Sequence, residues 1–181
     1  LGTSKIFTIT VNPSPTVNAI SNQTVCNNTS TAAVNFSGTV PGSVYNWTNN
    51  NTTIGLAAGG TGNIAAFTAI NTGVVPVTAT ITVTPAFTNA SITCTGSQRT
   101  FTITVNPDVN AGVVSGSSPL CIGATATYSS NGNTGGTWSS SDPSVATVNP
   151  ASGLVTALNA GVTNIIYTIN TGCNSPVSAF K

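Results

Sequence analysis

The stretch Phe7-Thr8-Ile9-Thr10-Val11-Asn12-Pro13 returns residue for residue as Phe101-Thr102-Ile103-Thr104-Val105-Asn106-Pro107. Identity over seven residues at a fixed offset is the mark of a tandem array of like units. Phe, Ile and Val alternate with Thr, so the stretch reads as a strand with one apolar and one polar face. Asn-Pro ends it, because proline has no N–H to offer a ladder. The repeat therefore predicts a closing strand followed by an exit into the next unit.

The rest of the pattern is also β. Val77-Thr78-Ala79-Thr80-Ile81-Thr82-Val83-Thr84 alternates strictly, so Val77, Ala79, Ile81 and Val83 are expected to face a core. In the first unit, Ala32 to Phe36, Val44 to Trp47, Ile64 to Ile70 and Val75 to Val83 are the further strand candidates. Ile92 to Cys94 and Phe101 to Val105 flank Thr95-Gly96-Ser97, which reads as a hairpin. In the second, the candidates are Ala124 to Tyr128, Thr137 to Trp138, Val145 to Val148, Leu154 to Thr156 and Val162 to Ile169. No window carries a helical apolar stripe of useful length. Short strands punctuated by Asn- and Gly-rich turns predict an all-β protein of two tandem Ig-like β-sandwich domains. Residues 1–13 are expected to be the closing strand of a preceding repeat, or a donor strand. Residues 14–106 form the first sandwich and 107–181 the second. Phe180-Lys181 reads as the start of a third closing strand, so the second sandwich is expected to be truncated at its last strand.

The four cysteines fall two per unit at matched places: Cys26 and Cys94, then Cys121 and Cys173. This spacing argues for two intradomain disulfides and an oxidising compartment. A zinc site is the rival reading, but there is no C-x-x-C and no His.

Charged residues are only 3% of the chain, while 39% is hydrophobic. A core is therefore available, and solubility rests on Thr, Ser, Asn and Gly. Nucleic acid is not expected as a partner, since phosphate binding needs clustered cations. No run reaches the roughly 18 apolar residues of a membrane span. The chain opens on Leu1 without a signal peptide and reads as an internal or mature fragment.

Chemistry-bearing side chains are scarce. Asp108 and Asp142 are the only carboxylates, and no His or Glu is present. They read as an interdomain residue and a turn residue, against the alternative of a paired acid and base. A junction calcium through Asp108 would need carbonyls for most of its ligands. No catalytic residue, cofactor or metal site is expected. Trp47 and Trp138 read as core residues of the sandwiches, against the alternative of sugar-stacking platforms. The polar loops Asn49 to Thr53 and Ser130 to Gly136 are the places where surface glycans or proteins would be recognised.

Two family likenesses arise from these residues. Residues 136–169 carry Gly136-Thr137-Trp138-Ser139-Ser140-Ser141-Asp142-Pro143-Ser144-Val145-Ala146-Thr147-Val148, then Ser152-Gly153-Leu154-Val155-Thr156-Ala157-Leu158, Ala160-Gly161 and Ile165-Ile166-Tyr167. This resembles the bacterial Ig-like domain of group 2. Residues 43–106 carry Tyr45-Asn46-Trp47-Thr48-Asn49, Ile54-Gly55-Leu56-Ala57-Ala58, Phe67-Thr68-Ala69 and the closing Phe-Thr-Ile-Thr-Val-Asn-Pro. This resembles the PKD-like repeats of giant Bacteroidota cell-surface and gliding adhesins. Thr48 and Asn49 stand where the commoner PKD pattern has acidic residues. Together the likenesses imply a non-catalytic extracellular stalk or spacer, exported by the type 9 system to the cell surface. Its partners would be neighbouring repeats of the same chain or like subunits. In a polymer of subunits, residues 6–12, with Phe7, Ile9 and Val11 inward, would complete a neighbour by strand addition.

Overall fold

The computed structural model describes residues 2–181, and its regular structure is strand apart from one 3-10 turn at Thr52–Ile54. Two compact units result. One comprises the residues up to Asn71 with Pro76–Val105, the other Asn106–Lys181 with Thr72–Val75.

In the first unit the strands are β1 (Gln23–Cys26), β2 (Val44–Asn49), β3 (Gly59–Thr61), β4 (Val77–Asn89), β5 (Ile92–Thr95) and β6 (Arg99–Asn106). They form one sheet in the order β1-β6-β4-β2-β3, with β5 also on β4. The predicted alternation decides the faces. Ala79, Ile81 and Val83 of β4 are fully buried, as are Ile103 and Val105 of β6, with Phe101 close behind. Their Thr neighbours point outward, where Thr78 and Thr104 share a cross-strand hydroxyl hydrogen bond of 2.9 Å.

The second layer of this core is irregular. Ala32 to Phe36 and Ile64 to Ile70, expected as strands, meet only through isolated bridges, Val34 with Ile64 and Ser30 with Thr68. Side chains take ladder positions there. Asn63 Oδ1 accepts from the Phe36 amide and Thr31 Oγ1 from the Phe67 amide. Polar side chains that bond to backbone compete with regular pairing. Val34, Phe36, Ile64 and Ala69 still bury against the sheet.

The expected hairpin at Thr95-Gly96-Ser97 is not formed. Phe87 pairs with Cys94 and Ile81 with Phe101, so β5 and β6 follow one another along the same edge of β4. The tight turn lies instead at Ala90 and Ser91, both with positive φ. Gly96 sits in the jog between the strands, because a Cβ there would fall 1.7 Å from the carbonyl oxygen of Pro15.

The second unit holds β7 (Val114–Ser115), β8 (Thr125–Thr127), β9 (Ser129–Ser130), β10 (Thr137–Ser140), β11 (Ala146–Val148), β12 (Leu154–Ala157), β13 (Ile165–Ile169) and β14 (Val177–Phe180). They form two three-stranded sheets, β10-β13-β14 and β11-β12-β8, and a separate two-stranded ribbon, β7-β9. Trp138, Ile165, Tyr167 and Ile169 pack against Ala146, Val155, Tyr128 and Val114. This is an Ig-like β-sandwich of all-β class.

The expectation that the closing strand starts at Phe180 is corrected. The closing strand begins at Val177, where β14 pairs Val177 with Ile169 and Phe180 with Ile166. Lys181 continues it by exchanging both backbone hydrogen bonds with Ile165. The comparison with Phe101 misled because it matched residue type rather than face. Phe101 is buried, whereas Phe180 is 68% exposed and Ala179 takes the position opposite Tyr167.

Candidate functional site

The repeated stretch has two fates. In β6, Phe101, Ile103 and Val105 fill the core between β1 and β4. In the first copy, no strand forms between residues 2 and 22. Phe7, Ile9 and Val11 are 83%, 75% and 86% exposed. Asn12 and Asn89 hydrogen-bond to each other at 2.9 Å.

The cysteines depart from expectation as well. Cys26 and Cys173 are disulfide-bonded, while Cys94 and Cys121 carry free thiols. The pairs Cys26–Cys94 and Cys121–Cys173 are therefore not formed, and strand geometry gives the reason. Asn71 donates from its amide to Asn27 Oδ1 and from Nδ2 to the Val105 carbonyl, which sets Cys26 beside the end of β6. Val105 pairs with Val77, but Cys94 pairs with Phe87, ten residues further along β4. At about 3.3 Å per residue that is ~33 Å, whereas a disulfide needs Cα atoms within about 7 Å. In the second unit Cys121 accepts from Ala124 at the start of β8. Cys173 accepts from Val109, whose neighbour Asn110 bonds Asn133 beyond β9. The length of β8 and β9 lies between the two cysteines.

The two polar loops also differ. In Asn49 to Thr53, the buried Asn49 donates to the Leu56 and Ala57 carbonyls and accepts from the Asn51 amide. Asn50 accepts from Thr80, and Asn51 from Thr53. These side chains are occupied in shaping their own loop.

Ser130 to Gly136, in contrast, walls a cleft of about 520 Å³ whose far side is Pro150 and Ala151. Its floor is Tyr128, Trp138 and Tyr167, each buried. Trp138 and Tyr167 are cross-strand partners with ring centroids 4.8 Å apart, tilted by 43°. Both tryptophans thus take the core role. The Tyr167 hydroxyl accepts from the Gly136 amide at 2.9 Å and donates to the Asn133 carbonyl at 3.0 Å. Asn133 Oδ1 accepts from the Asn110 amide, and Ser130 Oγ donates to the Ala111 carbonyl. The loop is held at both ends, and a tertiary staple from Tyr167 is not a pattern that spacing could disclose.

Asp142 shapes its own turn. Asp142 Oδ1 accepts from the Ser144 amide at 3.0 Å and from the Ser144 hydroxyl at 2.6 Å, an Asx turn. The Ser144 hydroxyl, then its amide, hold the Asp142 carboxyl below its ordinary range. Asp108 bridges in parallel to Cys173. Among the described residues no group of His, Cys, Asp and Glu is placed to hold a metal ion. No helix among them is long and apolar enough to cross a membrane.

A comparison with curated proteins found no match. Among solved structures, the chain is similar to the protocadherin GammaB4 extracellular domain. That match has 13% identity, a TM-score of 0.46, and covers 92% of this chain and 33% of that one. It is also similar to the C-terminal 282-residue fragment of intimin, solved in complex with the intimin-binding domain of the translocated intimin receptor. There the identity is 13% and the TM-score 0.38, with 93% of this chain and 62% of that one covered. The chain thus spans about a third of the protocadherin chain and under two thirds of the intimin fragment. Residues 101–177, the end of the first unit and most of the second, match the bacterial Ig-like domain (group 2) family in sequence.

Proposed function

We propose that the chain is a non-catalytic extracellular stalk or spacer segment of a large bacterial surface adhesin or filament. The observation that carries this reading is the repeated stretch. One copy closes the first sandwich as β6, and the other stands directly before that sandwich, as in an array of like units. The family match over residues 101–177, the polar but nearly uncharged composition and the disulfide-bonded Cys26 and Cys173 support the same reading. Assignment to Bacteroidota gliding-type adhesins and the type 9 system rests on the PKD-like likeness of residues 43–106. Small-angle scattering of several copies in tandem tests the spacer role. An extended particle is expected, and a collapsed array of freely hinged units would overturn it.

A second reading is favoured by the exposure of Phe7, Ile9 and Val11. Residues 6–12 would complete a sheet of a like subunit by strand addition, joining subunits head to tail. Here the apolar face that β6 buries at Phe101, Ile103 and Val105 would be buried in a neighbour. Removal of residues 1–12 is then expected to abolish fibres, and fibres that persist would exclude the reading.

A further inference from the structure

We propose that the cleft of the second unit is a carbohydrate-binding site for a neutral oligosaccharide. This does not depend on the stalk reading. The cleft, at about 520 Å³, lies within the roughly 300–1,000 Å³ span of small-molecule sites.

Its chemistry narrows the ligand. None of the five charged side chains of this protein, Lys5, Arg99, Lys181, Asp108 and Asp142, lines the cleft. A charged ligand would lose water there and gain no counter-charge. A wholly apolar ligand would instead strand the polar wall. The exposed Thr134 and Thr137 hydroxyls and the Asn133 Nδ2 group face no protein partner, so they are satisfied by water that a ligand hydroxyl can replace. The floor of Tyr128, Trp138 and Tyr167 is core packing that leaves only a small apolar surface to the cleft, enough for contact with a sugar C–H edge rather than for stacking of a whole ring. An uncharged, polyhydroxylated molecule with an apolar edge meets all three conditions.

The wall is also tied at both ends by protein hydrogen bonds. Tyr167 ties Asn133 to Gly136, and Asn110 ties Asn133 to the neighbouring segment. Gly136 belongs to this arrangement, because a Cβ there would fall 2.5 Å from Tyr167 Cζ. A preorganised loop loses little ordering entropy on binding.

The test is amide shift mapping by NMR on the full chain with cellotriose, mannotriose and triacetylchitotriose as neutral probes, and trigalacturonate as a charged one. Shifts confined to Gly132–Trp138 and Ala151, for at least one neutral probe, are expected. Thr134→Val with Thr137→Val keeps the β-branched shape at exposed positions and is expected to weaken that binding about 5- to 10-fold. The proposal is overturned if no neutral probe perturbs these amides, or if the shifts fall elsewhere. It is equally overturned if the double variant binds as tightly, or if trigalacturonate binds as well as the neutral probes.

Discussion

Trp138 and Tyr167 face each other across β10 and β13, and the Tyr167 hydroxyl hydrogen-bonds both Asn133 and Gly136 of the neighbouring loop. One side chain thus serves the core and the cleft wall. Tyr167→Phe keeps the ring and loses both hydrogen bonds. A loss of about 1–3 kcal/mol is expected, read by chemical denaturation, with faster amide exchange at Gly136. Gly136→Ala should cost about 1–3 kcal/mol through overpacking against the same ring. Unchanged exchange at Gly136 in Tyr167→Phe would show that the staple does not order the loop.

Ile9 and Ile103 occupy the same place in identical stretches, yet Ile103 is fully buried and Ile9 is 75% exposed. Ile103→Ala should cost about 2–5 kcal/mol. Ile9→Ala should stay within about 0.5 kcal/mol for the isolated chain. Equal losses in denaturant midpoint would mean that the first copy also pairs in a sheet.

The disulfide pattern makes a chemical prediction. Under native conditions a thiol reagent should label Cys94 and Cys121, the exposed Cys121 faster, and leave Cys26 and Cys173 unmodified. Cys94→Ser and Cys121→Ser should leave stability almost unchanged, whereas Cys26→Ser or Cys173→Ser should cost about 2–5 kcal/mol. Peptide mapping that finds Cys94 bonded to Cys26 would contradict the strand geometry.

Asp142 gives the chain a weak acid response. Its folded pKa is lowered from 3.8 by the Ser144 hydroxyl and amide. A carboxyl with a depressed folded pKa binds fewer protons in the native state, so its contribution is fully present above 3.8 and is lost as pH falls through the lower folded value. The group is solvent-exposed, so the effect is small. Asp142→Asn should flatten the stability profile below pH 3.8, its small loss of stability falling at neutral pH and vanishing in acid, as read by thermal melts across that range. An unchanged acid limb would show that the Asx turn does not carry it.

Alternation made much of this fold legible. Ala79, Ile81, Val83, Ile165, Tyr167 and Ile169 all point inward as their spacing requires. Ala32 to Phe36 and Ile64 to Ile70 read as strands from hydropathy, but they form an irregular layer because Asn63 and Thr31 replace ladder bonds in a way that hydropathy does not show. The cleft was half legible. Ser130 to Gly136 stands out as a polar, Gly-rich loop, but its floor of three rings comes from places far apart in sequence, Trp138 on β10, Tyr167 on β13 and Tyr128 between β8 and β9.

The sequence alone determined the class and the faces: strands that alternate, a polar uncharged exterior, and two units marked by a repeated closing stretch. The tertiary structure decided the partners. An alternating stretch specifies which side chains share a face, whereas its backbone hydrogen bonds need a neighbour that only the assembled sheet supplies. So Phe101 to Val105 became a central strand, and the identical Phe7 to Val11 did not pair. Likewise, spacing matched Cys26 with Cys94 and Cys121 with Cys173. Distance along β4, and along β8 and β9, keeps the members of each pair apart.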